Sequence, residues 1–204
     1  MSRTIFKHLL LATGLIALGA CSPDNSVKQA PNTVVSGAAA IGGEFTLTDH
    51  EGNTVSEKTY LGKPTLIYFG FAYCPDICPT ALQKMGAAIA MSKINPDEIN
   101  TILITVDPER DTPEKLALYV TANGFPTGLR GLTGTPEQIE AAKKIYIAIG
   151  EKVEDPSNPD GFTYDHTNFI YLMGSDGVFV DIFSGSDTPK EIADRIRTYK
   201  KTGQ

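Results

Sequence analysis

The sequence lacks an excess of basic residues, internal repeats and long blocks of like charge. Its 204 residues include 18 lysines and arginines against 24 aspartates and glutamates, so the net charge is -6. This balance disfavours a nucleic-acid partner, because binding to phosphates requires positive charge. Hydrophobic residues make up 41% and charged residues 21%, an ordinary globular composition. Metals, small molecules and other proteins remain as possible partners.

The sequence also lacks an apolar run long enough to predict a membrane-spanning helix at its start. The run at residues 9–20 follows Arg3 and Lys7 and is shorter than the roughly 20 residues that a span needs. A basic start before such a run is typical of a secretory signal. The run ends in Leu-Gly-Ala before Cys21, which resembles a bacterial lipobox. An ordinary signal peptide and an uncleaved anchor helix are the alternatives.

From this pattern we expect a lipoprotein signal peptide at residues 1–20 and a lipidated Cys21. Residues 22–40 are rich in Ser, Pro, Asn and Ala without a lasting period, so residues 21–40 are predicted to form a flexible tether. The predicted location is the bacterial cell envelope, lipid-anchored to a membrane and facing the periplasm. Export also favours oxidised thiols unless a metal or a reductant intervenes.

The remaining residues, 41–204, are predicted to form one α/β domain. The patterns predict strands at 44–48, 65–71, 101–106, 168–173 and 178–183, helices at about 80–91, 111–124, 135–146 and from 188, and a turn-rich excursion at 154–161. Alternating strands and helices imply a mostly parallel sheet covered on both faces. The last hairpin adds antiparallel strands. The prediction is therefore a thioredoxin-like fold with a mixed central sheet flanked by helices and an N-terminal β-hairpin.

The first candidate site is the sequence Cys-Pro-Asp-Ile-Cys-Pro at residues 74–79, just after the predicted strand 65–71. Ligand sites in α/β sheets lie at the carboxyl ends of strands. Pro79 suits the first turn of a helix and pushes Cys78 away from helical angles, so Cys78 is expected at the N-cap and Cys74 one turn earlier. Both thiols would then face the positive end of the helix dipole, which lowers a thiol pKa.

Three interpretations of the Cys74–Cys78 pair follow. The loop that a disulfide would close is short, so a structural bridge would remove little chain entropy. A redox-active pair is a second interpretation. A metal-binding pair, which also cycles through a disulfide, is favoured, because thiolates are ligands for soft metals.

His166 is the predicted third ligand, since it directly precedes the predicted strand 168–173. In a thioredoxin-like fold, the loop before the penultimate strand faces the cysteine loop. Thioredoxins usually have a cis-proline there, and Pro159 is too far upstream to fill that place. A lone histidine before a strand is otherwise usually a surface or capped residue. His50 is assigned to a surface turn and His8 to the signal.

Two thiolates and one imidazole suit a soft or borderline metal. Cu(I) fits best, and Cu(II) is feasible with a further ligand. Structural zinc would prefer four ligands, and no fourth strong ligand is evident in the sequence. Met85, Met91 and Met173 fall on a predicted helix or strand and are expected in the core rather than on the metal.

A third candidate segment, Asp-Pro-Glu-Arg-Asp-Thr-Pro at residues 107–113, follows the predicted strand 101–106. Its main role is to begin a helix. Because it lies at the same edge of the sheet as the cysteines, a supporting or partner-docking role is predicted for Asp107 or Arg110.

Three motifs in this order resemble the Sco/SenC family: residues 68–79, residues 106–113, and Asp165–His166 with residues 169–172. The resemblance covers about residues 41–200. It implies copper binding through the two cysteines and the histidine, and a role in assembling the binuclear copper centre of cytochrome c oxidase. The implied partner is the copper-bearing oxidase subunit or another copper or thiol protein. Some bacterial members are linked instead to thiol–disulfide chemistry or copper homeostasis.

The sequence therefore predicts a metallochaperone rather than an enzyme. The alternative is a membrane-tethered thiol–disulfide oxidoreductase that acts on the cysteines of an exported partner. That chemistry does not need His166, and thioredoxin-type enzymes place two residues rather than three between their cysteines. A peroxidase related to peroxiredoxins is disfavoured, because it requires a nearby Arg and Thr and usually a distant resolving cysteine.

Overall fold

The computed structural model describes residues 41–203, so the predicted signal peptide, the tether and Cys21 lie outside the described residues. Nine strands are described: β1 (Thr46–Asp49), β2 (Thr54–Ser56), β3 (Thr65–Gly70), β4 (Asn100–Thr105), β5 (Arg130–Thr133), β6 (Gly150–Glu154), β7 (Phe162–His166), β8 (Ile170–Met173) and β9 (Phe179–Phe183). Four α-helices accompany them: α1 (Ile77–Ser92), α2 (Pro113–Tyr119), α3 (Pro136–Tyr146) and α4 (Pro189–Thr202).

Seven of these strands form a mixed sheet in the order β2-β1-β5-β4-β3-β8-β9. The central strand β4 runs parallel to both β3 and β5, and the other four pairings are antiparallel. The predicted mixed sheet and N-terminal hairpin β1–β2 are confirmed. The expectation of a mostly parallel sheet is wrong, because an antiparallel hairpin adds to each side of the parallel centre.

The two central strands are buried as their sequences predict. β3 consists of buried residues along its whole length, and β4 is buried from its second residue onward. A strand without an exposed face must be covered on both sides of the sheet. The packing of α1 against α4 and β3, and of α2 against β5, provides that cover. The carboxyl ends of β3 and β4 therefore emerge from the buried centre of the sheet.

Three helices begin at the predicted threonine–proline signals. In each, a threonine side-chain oxygen accepts a backbone N–H three residues later, and a proline occupies the first turn: Thr112 with Lys115, Thr135 with Gln138, and Thr188 with Glu191. α2 ends at Tyr119, earlier than the predicted Asn-Gly stop. That dipeptide lies in the next turn instead, which the Phe125 N–H closes by donating to the Ala122 carbonyl.

β6 and β7 form a separate two-stranded antiparallel sheet that the sequence pattern did not predict. Their register runs from Gly150 opposite His166 to Glu154 opposite Phe162. Only the turn between them coincides with the predicted excursion at 154–161. Four of the five residues of β6 are exposed, so its sequence lacks the alternating apolar residues that would predict a strand. His166 consequently ends a strand rather than lying in a loop.

None of the helices within residues 41–203 combines the length and hydrophobicity that a membrane crossing requires.

Candidate metal centre

The two cysteines lie where the chain passes from β3 into α1. Asp76 is the N-cap of α1, and Cys78 is the second helical residue. The prediction of Cys78 at the N-cap is therefore wrong by two positions, because the helix begins before Pro79 rather than at it. Cys74 lies in the preceding loop as expected, and its Sγ accepts the backbone N–H of Cys78 at 3.4 Å. An amide at the helix N-terminus thus points at the Cys74 sulfur.

The structure brings His166 to the same place. The Sγ atoms of Cys74 and Cys78 and a ring nitrogen of His166 all lie within 4.8 Å of one another. His166 Nε2 is 3.2 Å from Cys78 Sγ. Both cysteines are free thiols, and all three residues are buried. Among residues 41–203, this is the one group of three or more Cys, His, Asp or Glu donors that could surround an ion.

The orientation of His166 makes Nε2 available as a ligand. Its Nδ1 lies 3.0 Å from the carbonyl oxygen of Thr167. A carbonyl oxygen only accepts, so Nδ1 carries the proton and donates it, and the lone pair of the neutral ring is on Nε2. The ring is held edge-on by Tyr68 and Phe71, at centroid distances of 6.1 and 5.7 Å. A fixed tautomer facing two sulfurs fits a metal bound through thiolates and imidazole.

The two thiols differ in acidity. The pKa of Cys74 lies below the ordinary thiol range, chiefly because the Cys78 side chain donates a hydrogen bond to it, with further donation from the Asp76 and Cys78 amides. The pKa of Cys78 is raised, because the thiol is buried and lies against the Cys74 sulfur. The sequence predicted that both would be lowered, which is wrong for Cys78. Cys74 is therefore the thiol that loses its proton more readily, and metal binding at Cys78 must displace a proton.

Gly70, the last residue of β3, provides the space for the Cys78 sulfur. A Cβ built at Gly70 would lie 2.7 Å from Cys78 Sγ and 2.8 Å from the Tyr68 ring.

The Tyr68 hydroxyl donates to Asn168 Oδ1 at 3.2 Å, just beyond the histidine. Burial, together with the neighbouring Cys78, raises the pKa of Tyr68, so its hydroxyl stays protonated and remains a donor.

Asp111 fixes the cysteine loop to the sheet, a role that sequence reasoning missed. Its Oδ2 accepts the backbone N–H of Ala72 at 3.0 Å and the hydroxyl of Thr105 at 2.7 Å. Burial raises the pKa of this carboxyl to about 6. The sequence pattern predicts Asp111 only as part of a helix start. No local pattern indicates that its side chain binds a loop 39 residues upstream.

The predicted supporting residues lie beside the cluster rather than in it. Asp107 is fully buried and forms an ion pair with Arg110 Nε. Arg110 Nη1 also bonds Asp160 Oδ2 at 2.8 Å, in the turn between β6 and β7. The guanidinium carbon lies 4.1 Å from the Phe162 ring centroid and 4.8 Å from that of Tyr73. These residues therefore connect the segment bearing Cys74 with the hairpin bearing His166.

The other candidates lie elsewhere. His50 lies in the β1–β2 turn, where its Nδ1 accepts the Gly131 N–H at 3.1 Å, as expected for a histidine outside the site. Met85 and Met173 are buried in the core, as predicted. The prediction for Met91 is wrong, since this side chain is 46% exposed. It lies near the end of α1, on a side of the helix that the core does not cover.

Comparison with known proteins gives consistent matches over this domain. The family model SCO1/SenC matches residues 34–201. The mouse protein named SCO1 homolog, mitochondrial, is 41% identical over 171 residues, which cover 81% of this chain and 58% of the relative. The chain thus spans little more than half the length of such curated relatives.

Solved structures agree with this assignment. Copper-bound ScoI of Bradyrhizobium japonicum is 42% identical, with a TM-score of 0.70 over 78% of this chain and 99% of the other. BsSco, described as having a disulfide switch and as a member of the Sco family of cytochrome c oxidase assembly proteins, is 26% identical, with a TM-score of 0.60 over 80% and 95%. The thioredoxin-like class of the fold is confirmed.

The predicted location is wrong. The relatives from mouse, human and Arabidopsis thaliana are mitochondrial proteins, so a bacterial location with a lipid anchor facing the periplasm is not supported. The signal peptide and the lipidation of Cys21 are likewise not shown by these relatives. The physical reason is that a short basic segment followed by an apolar run indicates an export signal by its composition alone. Composition does not specify which membrane system receives the chain.

Proposed function

The chain belongs to the SCO1/SenC family, and we propose that it is a copper-binding metallochaperone for assembly of the copper centre of cytochrome c oxidase. Residues 41–204 would be the copper-binding domain, with Cys74, Cys78 and His166 as ligands. The observation that carries the proposal is the convergence of two free thiols and an imidazole lone pair within 4.8 Å. Asp107 and Arg110 would support the site without touching the metal.

The donor set favours copper on chemical grounds. Two sulfurs suit Cu(I), and the addition of imidazole makes Cu(II) acceptable. The copper bound to ScoI of Bradyrhizobium japonicum supports the same choice. Copper is the cargo here, and the partner would be the copper-bearing subunit of the oxidase or another copper or thiol protein. The similarity to BsSco, from a family of cytochrome c oxidase assembly proteins, supports the link to the oxidase.

The test uses the full chain in a Cys21→Ser background, which leaves Cys74 and Cys78 as the remaining thiols. The reduced protein should bind one equivalent of copper, and the disulfide form should bind only traces, because thiolates coordinate and a disulfide does not. The loaded chain should then transfer copper to the purified copper-bearing domain of an oxidase subunit. Equal uptake by both redox forms would place the metal elsewhere, and retention of copper in the presence of the acceptor would contradict the chaperone role.

The alternative function, a thiol–disulfide oxidoreductase, is favoured by the unequal thiols. Cys74, with its lowered pKa, would attack a partner disulfide as thiolate, and the partner's leaving sulfur would depart as a thiolate. The Cys78 thiol would then give up its proton and attack the mixed disulfide, which oxidises the pair and reduces the partner. Reduction of a partner disulfide at wild-type rate by His166→Ala, with no copper transfer by the wild type, would favour this function.

A further inference from the structure

The three candidate ligands belong to two different sheets. Cys74 and Cys78 follow β3, in the centre of the seven-stranded sheet, whereas His166 ends β7. Within residues 41–203, β6 and β7 pair with each other and with no strand of the large sheet. The nearest backbone ladder to the large sheet begins four residues beyond His166, where Ile170 of β8 is paired with Tyr68 of β3. Beyond that ladder, side-chain contacts hold β6 and β7 against the rest of the domain.

The best-developed of these contacts involves Arg110. This side chain is buried, although it is charged at every accessible pH. It forms one ion pair with the buried Asp107, which follows β4 of the large sheet. It forms another with Asp160, in the turn of the β6–β7 hairpin. Its guanidinium plane also lies near the rings of Phe162 on β7 and Tyr73 beside Cys74. We call Tyr73, Asp107, Arg110, Asp160 and Phe162 the arginine clasp.

The chemistry of the guanidinium group suits this position. Its planar fork donates hydrogen bonds in two directions at once, here to the carboxylate of Asp107 after β4 and to that of Asp160 in the hairpin turn. Its two faces remain free to stack on aromatic rings. This cation–π attraction is stronger when the group is shielded from water. A lysine ammonium has the charge but not the fork or the flat faces.

A second bridge between the hairpin and the body is weaker. Lys152 on β6 pairs with Glu109 at 2.7 Å and lies 3.9 Å from the Phe162 ring centroid. Both charged side chains of this pair are about half exposed, and exposed pairs contribute little. Closer to the base of the hairpin, Lys143 Nζ donates to the Gly150 carbonyl and Phe71 packs against Tyr164. The buried clasp is therefore the contact that holds the far end of the hairpin.

We propose that Arg110 is a positioning residue, which holds the β6–β7 hairpin so that His166 Nε2 stays within reach of the two thiols. The proposal rests on the proposed copper function, and it assigns the third ligand's availability to a side chain that contributes no donor atom. Loosening the clasp should convert a three-donor site into a two-thiol site, while the cysteine segment keeps its structure.

Two variants test the clasp in the full-length protein. Replacement of Arg110 by an uncharged residue would leave Asp107 buried and unpaired, which risks unfolding. Arg110→Lys keeps the charge beside Asp107 and removes the fork. The double variant Asp160→Asn/Phe162→Ala removes the hairpin half of the clasp and leaves the Asp107–Arg110 pair intact. Val153→Ala, an exposed truncation on β6, and Arg130→Lys, at the half-exposed pair with Glu51, are the controls.

Two measurements are made on each variant. In the metal-free protein, hydrogen exchange of the β6 and β7 amides should be about tenfold faster in both clasp variants, with β3 unchanged. Cu(II) affinity, followed by the thiolate-to-copper absorption, should fall roughly tenfold, whereas Cu(I) affinity should change less. The controls should match wild type in both measurements.

The outcomes distinguish a failure of the positioning role of Arg110 from a failure of the proposed copper function. Wild-type exchange in the double variant would overturn the clasp, and so would faster exchange with unchanged Cu(II) affinity, because the hairpin would then not position the ligand. A wild-type chain that binds no copper would overturn the proposed function. In that case the exchange measurement alone still decides whether Arg110 holds the hairpin.

Discussion

The cysteine segment (residues 65–92) and the histidine hairpin (residues 150–166) supply the same site by different means. The cysteine segment consists of a fully buried strand and a helix whose buried residues include Cys78. The hairpin is charged and largely exposed along β6, and it pairs with itself. The comparison indicates that the thiols lie on elements of the core, whereas the histidine ends a hairpin that is joined to the large sheet through β8 and a few side chains.

This difference has an energetic consequence. Segments with few buried apolar contacts open at lower free energy than the core. The hairpin should therefore be the first part of the site to open, and the thiol pair the last. Under the proposed function, one ligand that can move away would ease the release of copper to a partner.

The largest effect on stability is expected at Asp111, which anchors the cysteine segment. Burial raises its pKa from 3.8 to about 6, so the folded protein retains a proton that the unfolded chain releases over this range. The contribution of Asp111 is therefore favourable at low pH and is lost as the pH rises through about 6. Between about pH 4 and pH 7, wild type should lose roughly 2–3 kcal/mol relative to Asp111→Asn.

Urea unfolding across this pH range measures the effect. Titration of the thiols is common to both proteins and cancels in the difference. Asp97→Asn, at an exposed carboxyl, is the control and should give a profile parallel to wild type. A parallel profile for Asp111→Asn as well would show that this carboxyl does not carry the pH dependence.

Two glycines allow the two regions to be perturbed in the same way. A Cβ at Gly70 would lie 2.7 Å from Cys78 Sγ, and one at Gly150 would lie 2.7 Å from the Val106 side chain. Each substitution by alanine should destabilise the fold by about 1–3 kcal/mol through overpacking. Gly70→Ala should also change the reactivity of the thiols, whereas Gly150→Ala should loosen the hairpin and spare the thiols.

Thermal unfolding and the rate of thiol alkylation distinguish the two variants. Gly131→Ala is the control, since its Cβ would lie 3.0 Å from Leu116, away from both regions of the site. Identical alkylation rates in Gly70→Ala and Gly150→Ala would contradict the separation of the two regions.

The smallest effect is expected at Lys152 on the hairpin. Lys152→Met removes its exposed ion pair with Glu109, and we expect a change of less than about 1 kcal/mol in stability. Hydrogen exchange of β7 should stay close to wild type, because the arginine clasp remains. Exchange as fast as in the clasp variants would assign the holding role to the surface pair instead of to Arg110.

The sequence predicted the cysteine side well, because its signals are local. A continuous β-branched and aromatic run marks β3, and prolines mark the start of α1. The same kind of signal predicted α2, α3 and α4 at their threonine–proline starts. The N-cap was misplaced by two residues because a pattern shows that a helix begins near Pro79, but not which amide makes the first hydrogen bond.

The histidine side was predicted only in part. His166 was assigned to the site from its order along the chain, whereas the hairpin that carries it was missed. Residues 150–154 read as Gly-Glu-Lys-Val-Glu, which has no buried face, and their strand depends on pairing with β7. Asp111 and Asp160 were missed as well, because their partners lie 39 and 50 residues away and no local pattern reports them.

The central claim is that His166 is a copper ligand, and its direct test is the Cu(II) spectrum of His166→Ala. The full chain is used in the Cys21→Ser background, with His50→Ala as the matched control, since His50 lies in the distant β1–β2 turn. The thiolate-to-Cu(II) absorption should vanish or shift in His166→Ala and persist in His50→Ala, while Cu(I) remains bound by the two thiolates. A wild-type Cu(II) spectrum in His166→Ala would contradict the account.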